Sequence, residues 1–117
     1  MLISKKLLLS FLICMLVRTP PSAKALTITC DKVHSIMHPF CHGYALLGGI
    51  FPSECCNELK YLISNTTTMA NRQRACSCMK RLAYTKNQVN RLASIPRQCG
   101  ANLPFKIGKD VDCSKVK

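Results

Sequence analysis

Residues 53–82, SECCNELKYLISNTTTMANRQRACSCMKRL, hold four of the chain's nine cysteines in two tight groups, Cys55-Cys56 and Cys76-Ser77-Cys78. Adjacent cysteines are poorly placed to bridge each other, because a bridge needs Cα atoms about 5.5 Å apart and neighbours lie about 3.8 Å apart. On a helix Cys55 and Cys56 point about 100° apart, and Cys76 and Cys78 point to nearly opposite sides. Each group can therefore staple its helix to two different elements. Zinc is the competing use of clustered cysteines, but a zinc ribbon needs pairs separated by two to four residues, and no such pair occurs. The remaining cysteines spread outward as Cys30, Cys41, Cys99 and Cys113, with Cys14 far upstream.

Hydrophobic spacing around these cysteines predicts four helices and no strand. The first runs from Thr29 or Cys30 to Leu47, with Val33, Ile36, Met37, Phe40, Cys41 and Tyr44 in helical register and a kink at Pro39. Gly48-Gly49 ends it. Ser53 is expected to cap a second helix whose face carries Cys55, Cys56, Leu59, Leu62 and Ile63. A third holds Ala75, Cys76, Met79 and Leu82, and a fourth spans Lys86 to Ser94, stopped by Pro96. Gly100 to Cys113 reads as an ordered coil held down by its terminal cysteine.

Met1–Ala25 has the layout of a secretory signal peptide: Lys5-Lys6, the apolar run Leu7–Val17, and small residues at Ala23 and Ala25. The eleven-residue run would cover about 16 Å as a helix, short of a hydrocarbon layer of roughly 30 Å. Cleavage after Ala25 leaves one domain, residues 26–117, with thirteen basic and five acidic residues, a net charge of +8. Cys14 departs with the signal and eight cysteines remain, which in a short secreted chain reads as a disulfide framework. A domain this small buries a modest core, so cross-links matter to it.

The order Cys, Cys, Cys-Cys, Cys-X-Cys, Cys, Cys resembles the eight-cysteine motif of plant non-specific lipid transfer proteins, over essentially the whole of residues 26–117. The 19 residues between Cys56 and Cys76, the 20 between Cys78 and Cys99 and the 13 before Cys113 are similar to type 1. So are Val33, Cys41-His42-Gly43-Tyr44, Ala93-Ser94-Ile95-Pro96, Cys99-Gly100 and the polar Ser77. The resemblance implies the pairs Cys30–Cys78, Cys41–Cys55, Cys56–Cys99 and Cys76–Cys113. It implies an all-α, four-helix, disulfide-linked bundle around an apolar tunnel, with a long ordered C-terminal coil. One departure is visible: Phe40 separates Pro39 from Cys41, where the family usually has none, and a local bulge in the first helix is the expected accommodation.

Two motifs carry the implied lipid site. Thr68-Met69-Ala70-Asn71-Arg72 resembles the family's Thr-X-X-Asp-Arg, in which the arginine reaches a lipid carboxylate or phosphate; Asn71 replaces the aspartate. Pro104-Phe105-Lys106-Ile107-Gly108 resembles Pro-Tyr-X-Ile-Ser, and Phe105 lacks the phenol that would meet a head group. The expected lipid-binding residues are Arg72, Asn71, Phe105, Ile107, Val33, Tyr44, Ala75, Met79, Leu82 and Ile95. Cross-links let such a domain keep an apolar channel open, and a buried methylene contributes about 0.8 kcal/mol without directionality. By resemblance the chain binds fatty acids, phospholipids and galactolipids and transfers them between membranes or to the cell surface for wax or cutin deposition. It would act as a monomer in the cell wall or apoplast, touching membrane surfaces transiently, with no cofactor other than its lipid ligand.

The rest reads more plainly. His34, His38 and His42 recur every four residues, a geometry able to hold a metal, but beside the apolar face and across Pro39, so a solvated stripe with no metal is expected. Asn65-Thr66-Thr67 is a glycosylation sequon. The basic residues are dispersed, which fits anionic membranes and disfavours nucleic acid. No nucleophile–histidine–acid set supports an enzyme. Two rival functions share this framework, a cationic antimicrobial protein and an enzyme inhibitor. Alkylation of the unreduced secreted protein under denaturing conditions is expected to detect no free thiol, and a labelled cysteine would break the eight-cysteine reading.

Overall fold

The computed structural model describes residues 27–117; the expected signal peptide lies outside them. The described residues form five α-helices, α1 (Cys30–Met37), α2 (Phe40–Leu47), α3 (Glu54–Ser64), α4 (Met69–Met79) and α5 (Lys86–Cys99). Short 3-10 turns cover Lys80–Leu82 and Cys113–Lys115, and none of the described residues is in a strand. No described helix is long and apolar enough to cross a membrane. Four bridges bind the helices: Cys30–Cys78 joins α1 to α4, Cys41–Cys55 joins α2 to α3, Cys56–Cys99 joins α3 to α5, and Cys76–Cys113 joins α4 to the C-terminal turn. Their Cα separations of 4.7 to 5.6 Å lie in the ordinary range for disulfides.

The first expected helix is two helices. Pro39 has no N–H to continue the ladder and disfavours helical backbone at the residue before it, and His38 is extended at φ −95°, ψ 142°. Phe40 is therefore the first residue of α2, and the break replaces the expected kink and bulge. Pro39 offers no side-chain cap, and Glu58 of α3 supplies one from outside. The Cys41 N–H donates to Glu58 Oε1 at 2.7 Å and the Phe40 N–H to Oε2 at 3.3 Å. At the other end of α2, Arg91 of α5 donates to the Ala45 and Leu46 carbonyls at 3.0 and 3.1 Å.

Ser53 does not cap α3. Its backbone is already helical, its hydroxyl donates to Glu54 Oε1 at 3.1 Å, and the chain enters the helix through a turn in which the Cys55 N–H donates to the Pro52 carbonyl. At the far end Asn65, the sequon asparagine, donates its side-chain amide to the Tyr61 carbonyl at 2.8 Å, while Thr66 is buried. Thr68 caps α4 by accepting from the Asn71 N–H, and Thr85 with Gln88 forms a capping box on α5.

The fourth expected helix runs five residues further than Ser94, to Cys99, with Pro96 inside it. A proline removes one hydrogen bond from the ladder, but Ile95 is buried and Cys99 is bridged to Cys56, so packing on both sides of Pro96 holds the last turn. The helix ends at Gly100 in the left-handed conformation (φ 60°, ψ 33°). Gly100 N–H donates to the Arg97 carbonyl at 3.1 Å and Ala101 N–H to the Pro96 carbonyl at 2.9 Å, a Schellman closure. The core brings together Val33 and Met37 of α1, Leu59 and Leu62 of α3, Ala75 and Met79 of α4, and Leu92 and Ile95 of α5, with Phe105 of the coil laid against it.

No heavy atom lies within 4 Å of where a Gly100 side chain would begin, so substitution there meets only backbone strain. Gly100→Ala is expected to lower stability by about 1 kcal/mol in guanidinium unfolding with the bridges intact. An unchanged midpoint would mean that the bridge at Cys99 alone ends the helix.

Candidate functional site

The expected apolar residues gather in the interior. Val33, Ala75, Met79, Leu82 and Ile95 are buried in one cluster, and Tyr44 and Ile107 pack against it half-exposed. Tyr44 also meets Phe51 edge-on, with ring centroids 5.1 Å apart, and its hydroxyl accepts from Gln98 Nε2 at 3.3 Å. The C-terminal coil crosses α5 as a strap. Beneath it lies a small void of about 10 Å³ between Met79, Ala83, Val89, Leu92 and Ile107. That is roughly the room one water-sized probe takes, so any longer occupant must displace the lining.

Open grooves flank the strap on both sides. One, of about 410 Å³, is walled by Ala93, Leu103, Phe105 and Ile107 and rimmed by Arg97 and Lys106. The other, of about 690 Å³, is walled by Val89, Ala93, Ile107 and Val111 and rimmed by Lys86 and Lys109. Ile107 borders the void and both grooves. These four cations at the groove rims were not singled out from the sequence. They sit on two separate elements, α5 and the coil, and their only sequence signal is the dispersed positive charge.

The polar motif residues stand elsewhere. Asn71 is buried and its Oδ1 accepts from the Ile28 N–H at 3.1 Å, fastening the segment before α1 to α4. Arg72 donates from Nε to the Thr66 carbonyl at 3.1 Å, from Nη2 to the Thr67 carbonyl at 3.2 Å and from Nη1 to the backbone oxygen of Lys117 at 2.9 Å. Neither borders the void or the strap grooves. Arg72 thus braces the α3–α4 loop and the C-terminal end. Gln73 adds to the same fastening by donating to the Ser114 and Val116 carbonyls. A third depression, of about 520 Å³, lies beside this brace between Ile28, Ala70, Arg74, Ser77 and Ser114.

Comparison with known proteins places this arrangement. Residues 30–113 match the model of the protease inhibitor/seed storage/LTP family. A non-specific lipid-transfer protein of Malus domestica is 40% identical over 114 residues, 96% of this chain and 94% of that one. The non-specific lipid-transfer protein 1 of Arabidopsis thaliana is 36% identical over 115 residues, 96% of each. Among solved structures, barley non-specific lipid transfer protein 1 in complex with a lysophosphatidylcholine is similar with a TM-score of 0.67 and 35% identity, covering 77% of this chain and all of that one. Wheat non-specific transfer protein complexed with two molecules of phospholipid gives a TM-score of 0.61 at 34% identity, covering 76% of this chain and all of that one. With its fold, its four bridges and these relatives in agreement, the chain belongs to the plant non-specific lipid-transfer proteins of the protease inhibitor/seed storage/LTP family.

Proposed function

We propose that the protein binds the acyl chains of fatty acids and phospholipids between α4, α5 and the C-terminal strap and carries them between membranes. The observation that carries this reading is the void beneath Ile107, a residue that also lines a groove on each side of the strap. An acyl chain gains about 0.8 kcal/mol per buried methylene, so opening the void is favourable for a long chain even with few polar contacts. Met79 gives a wall that changes shape readily, since its side chain is unbranched and flexible. The lining on this reading is Val33, Tyr44, Ala75, Met79, Leu82, Ile95, Phe105 and Ile107, with head groups left at the cationic rims and Asn71 and Arg72 bracing the surrounding backbone. Leu47 at the end of α2 and Ile50 in the loop after it, 86% and 97% exposed, offer apolar contact to a membrane that the basic surface attracts. The reading needs no catalytic group and no cofactor.

The mature chain on this reading is the secreted form beginning near Leu26. A Prunus armeniaca relative supports it: the match takes in all of that protein and 77% of this chain.

Lipid transfer between labelled vesicles, run beside dye leakage from anionic vesicles, separates a carrier from a membrane-disrupting protein. Transfer without leakage is expected; leakage without transfer would overturn the carrier. Ile107→Asp places a carboxylate at the half-exposed residue that lines the void and both grooves. It is expected to weaken fatty-acid binding by more than about tenfold, the equivalent of about 1.4 kcal/mol, with the helical circular dichroism unchanged.

Arg72→Ala removes three hydrogen bonds to backbone oxygens, two of them exposed to water, and is expected to cost about 1 kcal/mol of stability. It should weaken binding of a fatty acid and of its methyl ester equally. A loss confined to the free acid would instead put the guanidinium on the head group.

A further inference from the structure

We propose that His34, His38 and His42 form a binding site for a divalent transition-metal cation of the zinc class, built across the joint between α1 and α2. The break at Pro39 assembles it. His34 lies on α1, His38 is the extended residue after it, and His42 lies in the first turn of α2. The His38 N–H still donates to the His34 carbonyl at 3.0 Å, so the turn that redirects the chain keeps the three side chains together. Their ring centroids are 4.9, 5.6 and 6.4 Å apart, and one nitrogen from each ring falls within 4.8 Å of the others. Ligands on a tetrahedral zinc at about 2.05 Å lie roughly 3.4 Å from one another. His34 and His38 are exposed and free to turn, so closing that difference requires side-chain rotation alone.

His42 is the fixed member. Its Nε2 is buried and has no hydrogen-bond partner among the described residues. Burial first, and then the neighbouring His34 and His38, hold its pKa below the ordinary histidine value, which favours the neutral ring that a metal needs. Imidazole nitrogens select zinc, copper or nickel over calcium or magnesium. Three protein ligands leave a fourth position for solvent. Such an ion would tie α1 to α2 at a joint that no disulfide spans directly.

The test is calorimetric titration of the oxidised, EDTA-treated protein with zinc chloride, with calcium chloride as control. Histidine ring resonances are followed by NMR in parallel. One zinc per chain is expected, shifting the resonances of all three rings, with no response to calcium. The double variant His34→Asn/His38→Asn changes only exposed rings and should keep the metal-free melting temperature while losing zinc affinity by at least about tenfold. His42→Gln should lose it as well. Added zinc should raise the melting temperature of the parent and leave the double variant unmoved. No binding of zinc, equal binding of calcium, or zinc affinity that survives the double substitution would each overturn the site, the histidines then being edge-packed rings and nothing more.

Discussion

Two adjacent sulfurs on one helix organise this molecule. Cys55 and Cys56 leave α3 in different directions and fasten it to α2 on one side and to the end of α5 on the other. Cys76 and Cys78 repeat the device on α4, which they tie to the C-terminal turn and to α1. The closed loops span 14 to 48 residues, and each such link restricts the unfolded chain by about 3 to 4 kcal/mol in the chain-entropy picture. Stability supplied this way does not depend on filling every part of the interior. A strap can then lie over an apolar seam without being packed tightly into it.

Between those links, side chains distant in sequence do what local capping does elsewhere. Helix α2 has a proline before its first residue and no cap of its own, yet Glu58 of α3 meets its N-terminal N–H groups and Arg91 of α5 meets its C-terminal carbonyls. A carboxylate at the positive end of the helix and a guanidinium at the negative end both suit its dipole. The proline was readable as a disturbance, and its depth was not. Whether Pro39 bends a helix or divides it depends on Glu58 being present to finish the second half, a partner 17 residues from Cys41. At Pro96 the balance goes the other way. Ile95 and the Cys99 bridge hold the turn beyond the proline, and Gly100, visible in the sequence, marks the true end.

The candidate site divides along the same line. Val33, Ala75, Met79, Leu82 and Ile95 follow helical periodicity, and periodicity reports burial faithfully, so the core was legible. Asn71 and Arg72 were marked by a motif, but a motif does not show what a polar side chain touches. Their partners Ile28 and Lys117 lie 43 and 45 residues away, on segments with no periodic signal. The histidines were legible as a spacing of four. On an unbroken helix that spacing makes an open stripe, whereas the break at Pro39 turns it into a cluster with one nitrogen buried.

How an acyl chain would enter a void of about 10 Å³ follows from what holds the strap. Its ends are secured. Ala101 is bonded to the end of α5, and Cys113 is bridged to α4 within a turn that Asp112 caps by accepting from Ser114. Gln73 and Arg72 fasten the residues beyond. Between Leu103 and Val111 the chain carries no helix or strand, and the only backbone hydrogen bond recorded inside it runs from the Val111 N–H to the Gly108 carbonyl at 3.3 Å. Lifting that span would break few hydrogen bonds and expose Phe105 and Ile107, which on the proposed reading an incoming acyl chain would cover again. The energy of opening and the energy of binding are thus the same kind, apolar area exchanged for apolar area. A chain long enough to replace what the strap covered shifts the balance towards the open form, and a short one does not.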